Sequence, residues 1–318
     1  MGDSMGDKFS ISRRKFLAAG AVASAGTVVG APGVLGLPVT AAGGAKPFSN
    51  YTGDALLPAN LIGLMLYTVR DQVDSKGFAE VFETVAGMGY TSVEFAGYTQ
   101  GTGSITPRQI RRLLDANGLT PVGSHGNLDD AAIKAAVALD MPYTGTAFEI
   151  PRDTSTAGWE QLAADYNAFG EKAAKHGVKG YLHIHGPAYG PVADDPDIRG
   201  LDILIEHTDP KVFVFEMDIY WAYYFVQVFP GYDPISWVKQ HRDRFPLFHV
   251  KDGIHDGGEP EHRDVGQGNI PFENFFSKVG GRRKSWYLNE RDNAADHPQG
   301  SFCSAQASYL YMRYGLRH

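Results

Sequence analysis

Residues 181–186 read YLHIHG, and this short apolar segment carries two histidines, His183 and His185, two positions apart. In a β-strand, residues i and i+2 point to the same face, so both imidazoles would project side by side. The packed face of a strand favours residues such as valine and isoleucine. The pair therefore indicates a strand whose end serves binding or catalysis; hydrogen-bonded core histidines are the structural alternative.

Strand-like and helix-like stretches alternate on both sides of this segment, from residue 60 onward. The strand-like stretches are 61–69, 90–98, 119–125, 141–150, 178–186, 212–220, 245–253 and 284–292. Strict alternation predicts an α/β fold with a parallel sheet. Eight strand–helix repeats of this length predict a single (β/α)8 TIM barrel over residues 46–318. A doubly wound open sheet is the alternative, but no GxGxxG motif follows the first strand.

Residues 1–45 have a different character and predict a twin-arginine signal peptide with a linker. Arg13 and Arg14 precede a stretch rich in alanine, glycine and valine, and the small residues at 39–42 offer a cleavage site. Glycines and Pro32 make this stretch a poor membrane-spanning helix, although an uncleaved anchor is the alternative. We therefore expect export by the twin-arginine route to the periplasm or the cell exterior, without a stable membrane anchor.

The composition of the chain excludes several classes of function. Of its 318 residues, 43% are hydrophobic and 20% charged, which is typical of a globular protein. The formal net charge of -7, without a basic stripe, argues against a nucleic-acid-binding surface. Cys303 is the single cysteine, so the sequence holds neither an intrachain disulfide nor a CxxC metal site. The composition leaves the oligomeric state open, including a homo-oligomer.

Polar residues occur at the C-terminal ends of six of the predicted strands, where TIM barrels place their chemistry. These residues are Glu94; His125; His183 and His185; Glu216 and Asp218; His249, Lys251 and Asp252; and Asn289, Glu290 and Asp292. Buried ionisable groups are costly unless they are paired or bound to a metal. Histidine and carboxylate ligands without cysteine suit a divalent ion of the Mn, Co, Fe or Zn type. Four adjacent strands can supply one ligand each, namely His183, Asp218, His249 and Glu290.

Five stretches of the sequence resemble the xylose isomerase-like TIM-barrel superfamily, in particular its sugar phosphate isomerase/epimerase branch. They are GYTSVEF, GYLHIHG, the block FEMDIYW with GYDPISWVKQHRDRFPLFHVKDG, then DVGQGNIPFENFF, and YLNERD. The resemblance covers roughly residues 60–315 and implies one divalent metal, most often manganese, held by Glu, Asp, His and Glu. Asp218, His249 and Glu290 match the last three positions.

The chain departs from that family pattern at the first metal position, where His183 replaces the usual glutamate. Some exported relatives carry YHNH there, which the LHIH of this chain resembles. In ketose 3-epimerases of the family, the two metal-binding glutamates also exchange the substrate proton, one on each face. Only Glu290 of that pair remains here, which argues against the two-glutamate mechanism.

The resemblance implies chemistry in which a metal polarises a sugar carbonyl and a base removes the neighbouring proton to give an enediolate. Glu290, His125 and His185 are candidate bases. Lys251 is a candidate acid or oxyanion partner, with a salt bridge to Asp252 or Glu216 as its alternative.

Substrate contacts and the fate of the enediolate complete the prediction. Glu94 and Trp221 are candidate substrate contacts; the aromatic residues around Trp221 are equally consistent with packing. Reprotonation makes the protein an isomerase or epimerase of a small, non-phosphorylated carbohydrate. Loss of a leaving group makes it a lyase or hydrolase of 3-keto-glycosides, as in some exported relatives. The third alternative is a sugar-binding barrel without catalysis.

Overall fold

The computed structural model describes residues 53–97, 105–147, 150–254, 260–280 and 285–318. The predicted signal peptide, residues 1–45, lies outside the described residues, so this prediction and the domain boundary that follows it stay predictions. Among the described helices, none is long and apolar enough to cross a membrane.

Strands and helices alternate through the described residues. The strands are β1 Ile62–Met65, β2 Ser92–Phe95, β3 Thr120–Ser124, β4 Tyr143–Ala147, β5 Lys179–Ile184, β6 Phe213–Asp218, β7 Leu247–Val250, β8 Asp252–Ile254, β9 Glu261–Arg263 and β10 Trp286–Asn289. The α-helices are α1 Arg70–Met88, α2 Pro107–Ala116, α3 Asp130–Leu139, α4 Thr156–Ala174, α5 Gly200–His207, α6 Ile219–Val228, α7 Pro234–Gln240, α8 Phe272–Val279 and α9 Ser301–Leu310.

In the described part of the chain, eight strands form one parallel sheet in the order β3-β2-β1-β10-β7-β6-β5-β4. The two edge strands meet where His125 pairs with Gly145 in a parallel bridge. There the amide of Gly126 donates a hydrogen bond of 2.7 Å to the carbonyl of Gly145. This arrangement confirms the predicted (β/α)8 barrel. Strands β8 and β9 form a separate antiparallel pair.

Two apolar layers hold the barrel together. The larger one lies between the sheet and the surrounding helices. The smaller one fills the interior and consists of Val122, Tyr181, Val214, Leu247 and Leu288. Side chains two residues apart on a strand share a face. Two positions after Tyr181, Val214, Leu247 and Leu288, the chain therefore again points into the interior. The residues at these positions are His183, Glu216, His249 and Glu290. The apolar layer is thus the floor of a polar one.

Local chemistry explains where several helices begin and end. Thr106 caps α2 in a reciprocal capping box with Gln109, and Pro107 occupies the first helical position. Asp218 ends β6 and caps α6 by accepting a hydrogen bond of 3.1 Å from the amide of Trp221. Gly89 ends α1 with a φ of 105°, a conformation that other residues rarely adopt.

All eight predicted strands extend beyond the observed strands at their C-terminal ends, and in three of them another element begins within the predicted range. Leu66–Val69 is a 3-10 turn, so the first strand stops at Met65. The strand predicted over 212–220 ends at Asp218. The side chain of Asp218 caps the N-terminus of α6, so the β-forming residues that follow are helical. The strand predicted over 245–253 is divided into β7 and β8.

The inner floor makes a direct prediction for stability. Val214 is 2% exposed in this layer, whereas Val137 is 48% exposed on α3. Val214→Ala should lower the free energy of unfolding by about 2 kcal/mol, because it removes buried methyl groups and leaves a cavity. Val137→Ala should change it by less than about 0.5 kcal/mol. Urea unfolding of the two variants measures both, and equal effects would contradict the assigned interior layer.

Candidate metal centre

The strand registers place the polar residues of β5, β6 and β7 next to one another. His183 on β5 pairs with Glu216 on β6, and Asp218 pairs with His249 on β7. All four side chains are buried. Glu290 directly follows β10, whose residue Leu288 pairs with His249. The sheet therefore brings the four predicted metal ligands into one cluster at the C-terminal end of the barrel.

His249 lies at the centre of this cluster and contacts three carboxylates. Its Nδ1 lies 2.8 Å from Oε2 of Glu290, and its Nε2 lies 2.7 Å from Oε2 of Glu94. Its Nε2 is also 3.2 Å from Oε2 of Glu216. The hydroxyl of Tyr181 donates a hydrogen bond to Glu94 across the barrel. His249 is thus fixed in orientation by side chains from three other strand ends.

Lys251 is a buried cation two residues after His249, nearer to the C-terminal end of the barrel, which we call its mouth. Its ammonium group lies 2.8 Å from Glu290, 2.8 Å from Asp292 and 3.3 Å from Asp218. These contacts replace the alternative salt bridge to Asp252 or Glu216. Asp292 also lies 3.3 Å from Nε2 of His262 on β9. A continuous line of polar contacts therefore leads from His262 at the mouth to the buried cluster.

Asp252 and Arg291 face away from the cluster and support the loops around it. The carboxylate of Asp252 accepts hydrogen bonds from the backbone amides of Gly253, Gly266, Gly268 and Ile270. Arg291 donates to Asp264, which also accepts a hydrogen bond from Ser304. The carboxylates of Asp252 and Asp264 therefore order the segment after β9, and neither takes part in the candidate metal centre.

The two histidines of the YLHIHG segment lie beside the carboxylates of β6 at distances longer than hydrogen bonds. Nε2 of His183 is 3.7 Å and Nε2 of His185 is 3.9 Å from Oδ2 of Asp218. Nδ1 of His183 is 3.9 Å from Oε2 of Glu216. Within the described part of the chain, neither ring nitrogen of His183 has a hydrogen-bond partner. With metal–ligand bonds of about 2.0–2.1 Å, two atoms on one ion lie at most about 4.2 Å apart, so these separations are short enough for a shared metal ion.

The ligand atoms form two groups of four, each with all atoms within 4.8 Å of one another. The upper quartet consists of His183, His185, Asp218 and Glu290. The lower quartet consists of His125, His183, Glu216 and His249. Three predicted ligands, His183, Asp218 and Glu290, are in the upper quartet. The fourth, His249, is in the lower one and contacts Glu290.

Burial and neighbouring charges separate the histidines into two kinds. Burial lowers the pKa of His249, but the carboxylates of Glu216, Glu290 and Glu94 outweigh it and raise the pKa well above its ordinary value. Burial lowers the pKa of His183, His185 and His125. Burial raises the pKa of Glu290, but the positive charges of Lys251 and His249 hold it well below its ordinary value. At neutral pH the cluster thus contains neutral imidazoles, the form that binds metals.

The remaining predicted site residues lie around the cluster at different depths. Glu94, a predicted substrate contact, is fully buried beneath His249 and bonded to Tyr181. Trp221 lies in the first turn of α6, with its ring 5.9 Å from that of His185 and 6.0 Å from Nζ of Lys251. The aromatic residues after β6 therefore form a helix at the mouth.

No role was assigned from the sequence to Tyr181 or His262, and Glu216 was named only as a polar strand-end residue and an alternative partner of Lys251. The spacing of two residues on a strand was an available signal for Tyr181 and Glu216, because Tyr181 shares a face with His183 and Glu216 shares one with Asp218. No pattern in the sequence indicates that His262 lies at the mouth, because its place there depends on the pairing of β9 with β8.

The model of one protein family, the xylose isomerase-like TIM barrel, matches residues 82–302 of the chain. The chain belongs to this family. Membership confirms the resemblance found in the sequence and agrees with the observed barrel. No curated protein matches the chain at a significant level.

Solved structures of this xylose isomerase-like fold resemble the chain over most of its length. A sugar phosphate isomerase/epimerase from Parabacteroides distasonis ATCC 8503 has a TM-score of 0.61 and 21% identity, covering 83% of this chain and 97% of that one. D-psicose 3-epimerase with D-tagatose from Clostridium cellulolyticum H10 has a TM-score of 0.58 and 16% identity, covering 81% and 99%. The IolI protein with a bound zinc atom has a TM-score of 0.62 and 11% identity, covering 80% and 98%. At these identities the likeness establishes the fold.

The charge state of His249 can be tested in metal-free protein. We expect NMR titration of the imidazole signals to find the pKa of His249 above 6.5 and that of His183 below it. Because the folded pKa of His249 is raised, its contribution to stability is complete below pH 6.5 and is lost as the pH rises through the folded pKa. Glu290→Gln should lower the pKa of His249, and an unchanged value would contradict the 2.8 Å contact.

Proposed function

We propose that the chain is a divalent-metal-dependent isomerase or epimerase of a non-phosphorylated sugar. The observation that supports this function is the buried cluster at the C-terminal end of the barrel, where carboxylates and neutral imidazoles converge. In the TIM barrel, this end is the one that carries active sites. The names of the similar structures, an isomerase/epimerase and a 3-epimerase, agree with the proposal.

The donor set fits a divalent metal. Asp218 and Glu290 supply carboxylate oxygens, and His183 supplies ring nitrogens that lack a hydrogen-bond partner among the described residues. His249, the fourth predicted ligand, and His185 both adjoin these carboxylates. Mixed imidazole and carboxylate donors suit Mn, Fe, Co or Zn, with Mn as the ion that the family resemblance favours and Mg the least suited to nitrogen. When bound, such an ion acts as a Lewis acid that polarises a sugar carbonyl.

Glu290 and Lys251 are the pair that we assign to proton transfer and charge stabilisation. Glu290 is held ionised by its neighbours and is therefore able to accept the proton next to the carbonyl. Lys251 lies 2.8 Å from it and keeps its proton, because Asp292, Glu290 and Asp218 outweigh the effect of burial on its pKa. Its ammonium group supports the negative charge that develops on the enediolate oxygen. His125 lies in the lower quartet, and His185 adjoins Asp218.

The charges at the mouth favour a substrate without a phosphate group. Glu290 and Asp292 lie there, and Lys251, the cation in contact with both, also contacts Asp218. Arg70 donates to backbone carbonyls and Arg291 to Asp264, so both guanidinium groups are engaged. Trp221 offers an apolar face beside His185, as is common in carbohydrate sites. A neutral sugar fits these surroundings better than a phosphorylated one.

A second candidate function rests on the identity of residue 183. Because residue 183 is a histidine, the cluster lacks the second metal-binding glutamate. In the ketose 3-epimerases that the sequence resembles, two such glutamates exchange the substrate proton, one on each face of the sugar. The same base, Glu290, would suffice for a lyase acting on a 3-keto-glycoside. There the proton leaves C2, the bond from C1 to the aglycone oxygen breaks, and the departing alcohol takes up a proton. The products are an unsaturated keto-sugar and the free aglycone.

We also propose that the protein works outside the cytoplasm after export by the twin-arginine route. The support is the sequence of the first 45 residues, with Arg13 and Arg14 before an Ala/Gly/Val-rich stretch. This route carries folded proteins, so a metal can be acquired before export.

Proton NMR in D2O tests the proposed function. Metal-loaded protein is supplied with free ketoses and, in parallel, with 3-keto-glycosides. Deuterium next to the carbonyl together with a new sugar supports the isomerase or epimerase; release of aglycone from the keto-glycosides alone supports the lyase. Absence of exchange and cleavage, with sugars still bound, would make the barrel a binding protein and overturn both.

The role of Glu290 can be separated from general damage by a matched pair of variants. Glu290→Gln should lower the rate of exchange or cleavage by about 10²–10⁴-fold, because it removes the base. Glu80→Gln changes an exposed glutamate of α1 that pairs with Lys76, and its rate should equal that of the parent protein. A Glu290→Gln variant with undiminished activity would exclude Glu290 as the base.

A further inference from the structure

His262 lies at the mouth of the barrel and belongs to neither quartet. It pairs with Gly253 in the hairpin that β8 and β9 form. Its ring centre is 5.0 Å from that of Tyr220 and 6.0 Å from that of Trp221, both at the start of α6. Gly253 permits this approach, because a Cβ at its position would lie 2.5 Å from the ring of Tyr220. The hairpin thus holds a half-buried imidazole against the helix that follows β6.

Asp292 fixes the orientation of the His262 ring. Its Oδ2 lies 3.3 Å from Nε2 of His262, and its Oδ1 lies 2.8 Å from Nζ of Lys251. Its backbone carbonyl accepts a hydrogen bond of 2.8 Å from Arg70. Because both carboxylate oxygens and the carbonyl are engaged, Asp292 is anchored, and it anchors the ring beside it.

The contact with Asp292 also determines which nitrogen of His262 carries the proton. A carboxylate only accepts hydrogen bonds, so the nitrogen that faces it, Nε2, is the one that donates. Burial lowers the pKa of His262, and the negative charge of Asp292 raises it by less. The ring is therefore neutral at neutral pH and has its proton on Nε2. Its other nitrogen, Nδ1, is left as a hydrogen-bond acceptor.

Two polar atoms of this part of the mouth lack partners. They are Nδ1 of His262 and the indole nitrogen of Trp221; both are buried, and neither makes a hydrogen bond in the portions of the chain that the structure describes. Buried polar atoms are normally paired, so these two require an explanation. One is an acceptor and the other a donor, which complements a hydroxyl group. Neighbouring side chains cover both atoms, so the two rings must move apart as a sugar enters.

The position of His262 relative to Glu290 indicates which part of a sugar it meets. Glu290 and Asp292 each lie 2.8 Å from Nζ of Lys251. His262 contacts the other oxygen of Asp292. Trp221 adjoins both regions, because its ring centre is 6.0 Å from Nζ of Lys251 and 6.0 Å from the ring centre of His262. A ketohexose whose carbonyl lies beside Glu290 therefore reaches His262 with the opposite end of its carbon chain.

We propose that His262, oriented by Asp292, is a specificity-determining residue that accepts a hydrogen bond from the terminal hydroxyl of the sugar. This inference rests on the proposed function and narrows the substrate to sugars with a free hydroxyl at the end remote from the carbonyl. An acceptor nitrogen forms no hydrogen bond with a dianionic phosphate, an ether or a methyl group at that place. An analogue without the hydroxyl leaves the nitrogen buried and unpaired, which is why such sites discriminate strongly.

Deuterium exchange with matched sugars tests the role of His262. The full-length, metal-loaded protein is supplied with each D-ketohexose and with its 6-deoxy analogue, and kcat/KM for exchange is measured for each pair. The ratio of the two values should be about 10–100 in the parent protein. His262→Phe keeps an aromatic ring but removes the acceptor, so its ratio should fall to about 1. His207→Phe changes a histidine at the end of α5, 41% exposed, and should keep the ratio of the parent.

The tautomer of His262 provides a second measurement that does not depend on turnover. Nitrogen-15 NMR of the full-length, metal-free protein should find the proton on Nε2, with the signals assigned by their loss in His262→Gln. Asp292→Asn should move part of this proton to Nδ1, because a carboxamide can donate to Nε2 as well as accept from it. A parent protein with the proton on Nδ1 would overturn the inference, and this result does not require His262→Phe to fold.

The outcomes separate failure of this inference from failure of the proposed function. Equal kcat/KM for a ketohexose and its 6-deoxy analogue, or an undiminished ratio in His262→Phe, overturns the role of His262 and leaves the proposed function in place. Absence of exchange with every ketohexose overturns the proposed isomerase or epimerase, and this inference with it.

Discussion

The concentration of ionisable groups inside the barrel is the constraint on which the rest of the site depends. Carboxylates of this kind are stable in a protein interior only when cations or hydrogen-bond donors neutralise them. Lys251 and His249 supply part of that compensation through contacts with Glu290. The imidazole of His183 supplies none within the described residues, although it lies beside two carboxylates. A bound divalent metal is the simplest group that satisfies both the charges and these nitrogens.

The barrel makes this concentration possible because its floor is apolar. Tyr181, Val214, Leu247 and Leu288 pack below the site, and the next interior position on each of their strands is ionisable. The strand pairing aligns these positions, as in His183 with Glu216 and Asp218 with His249. The hydrophobic layer thus provides stability, and the layer above it is free to carry chemistry. The loop-ordering carboxylates of Asp252 and Asp264 act from outside this layer.

Local sequence patterns were sufficient to predict the architecture and the residues of the cluster. The alternation of strand and helix predicts the barrel, and the polar residues at the strand ends predict that His183, Asp218, His249 and Glu290 lie together. The interior position of Tyr181 against Glu94 could not be predicted, because it depends on contacts across the barrel. The division into two quartets also depends on the register between neighbouring strands, which cannot be read from the sequence of one strand alone. The early end of β6 escaped prediction because the cap made by Asp218 outweighs the β-propensity of the residues that follow.

The central claim of this account is that the buried cluster binds divalent metal. The most direct measurement is anomalous X-ray diffraction from crystals of the protein loaded with Co²⁺, recorded on both sides of the cobalt absorption edge. The account predicts an anomalous peak bordered by Asp218, Glu290 and His183. Crystals in which these side chains are ordered and no anomalous peak lies among them would contradict it.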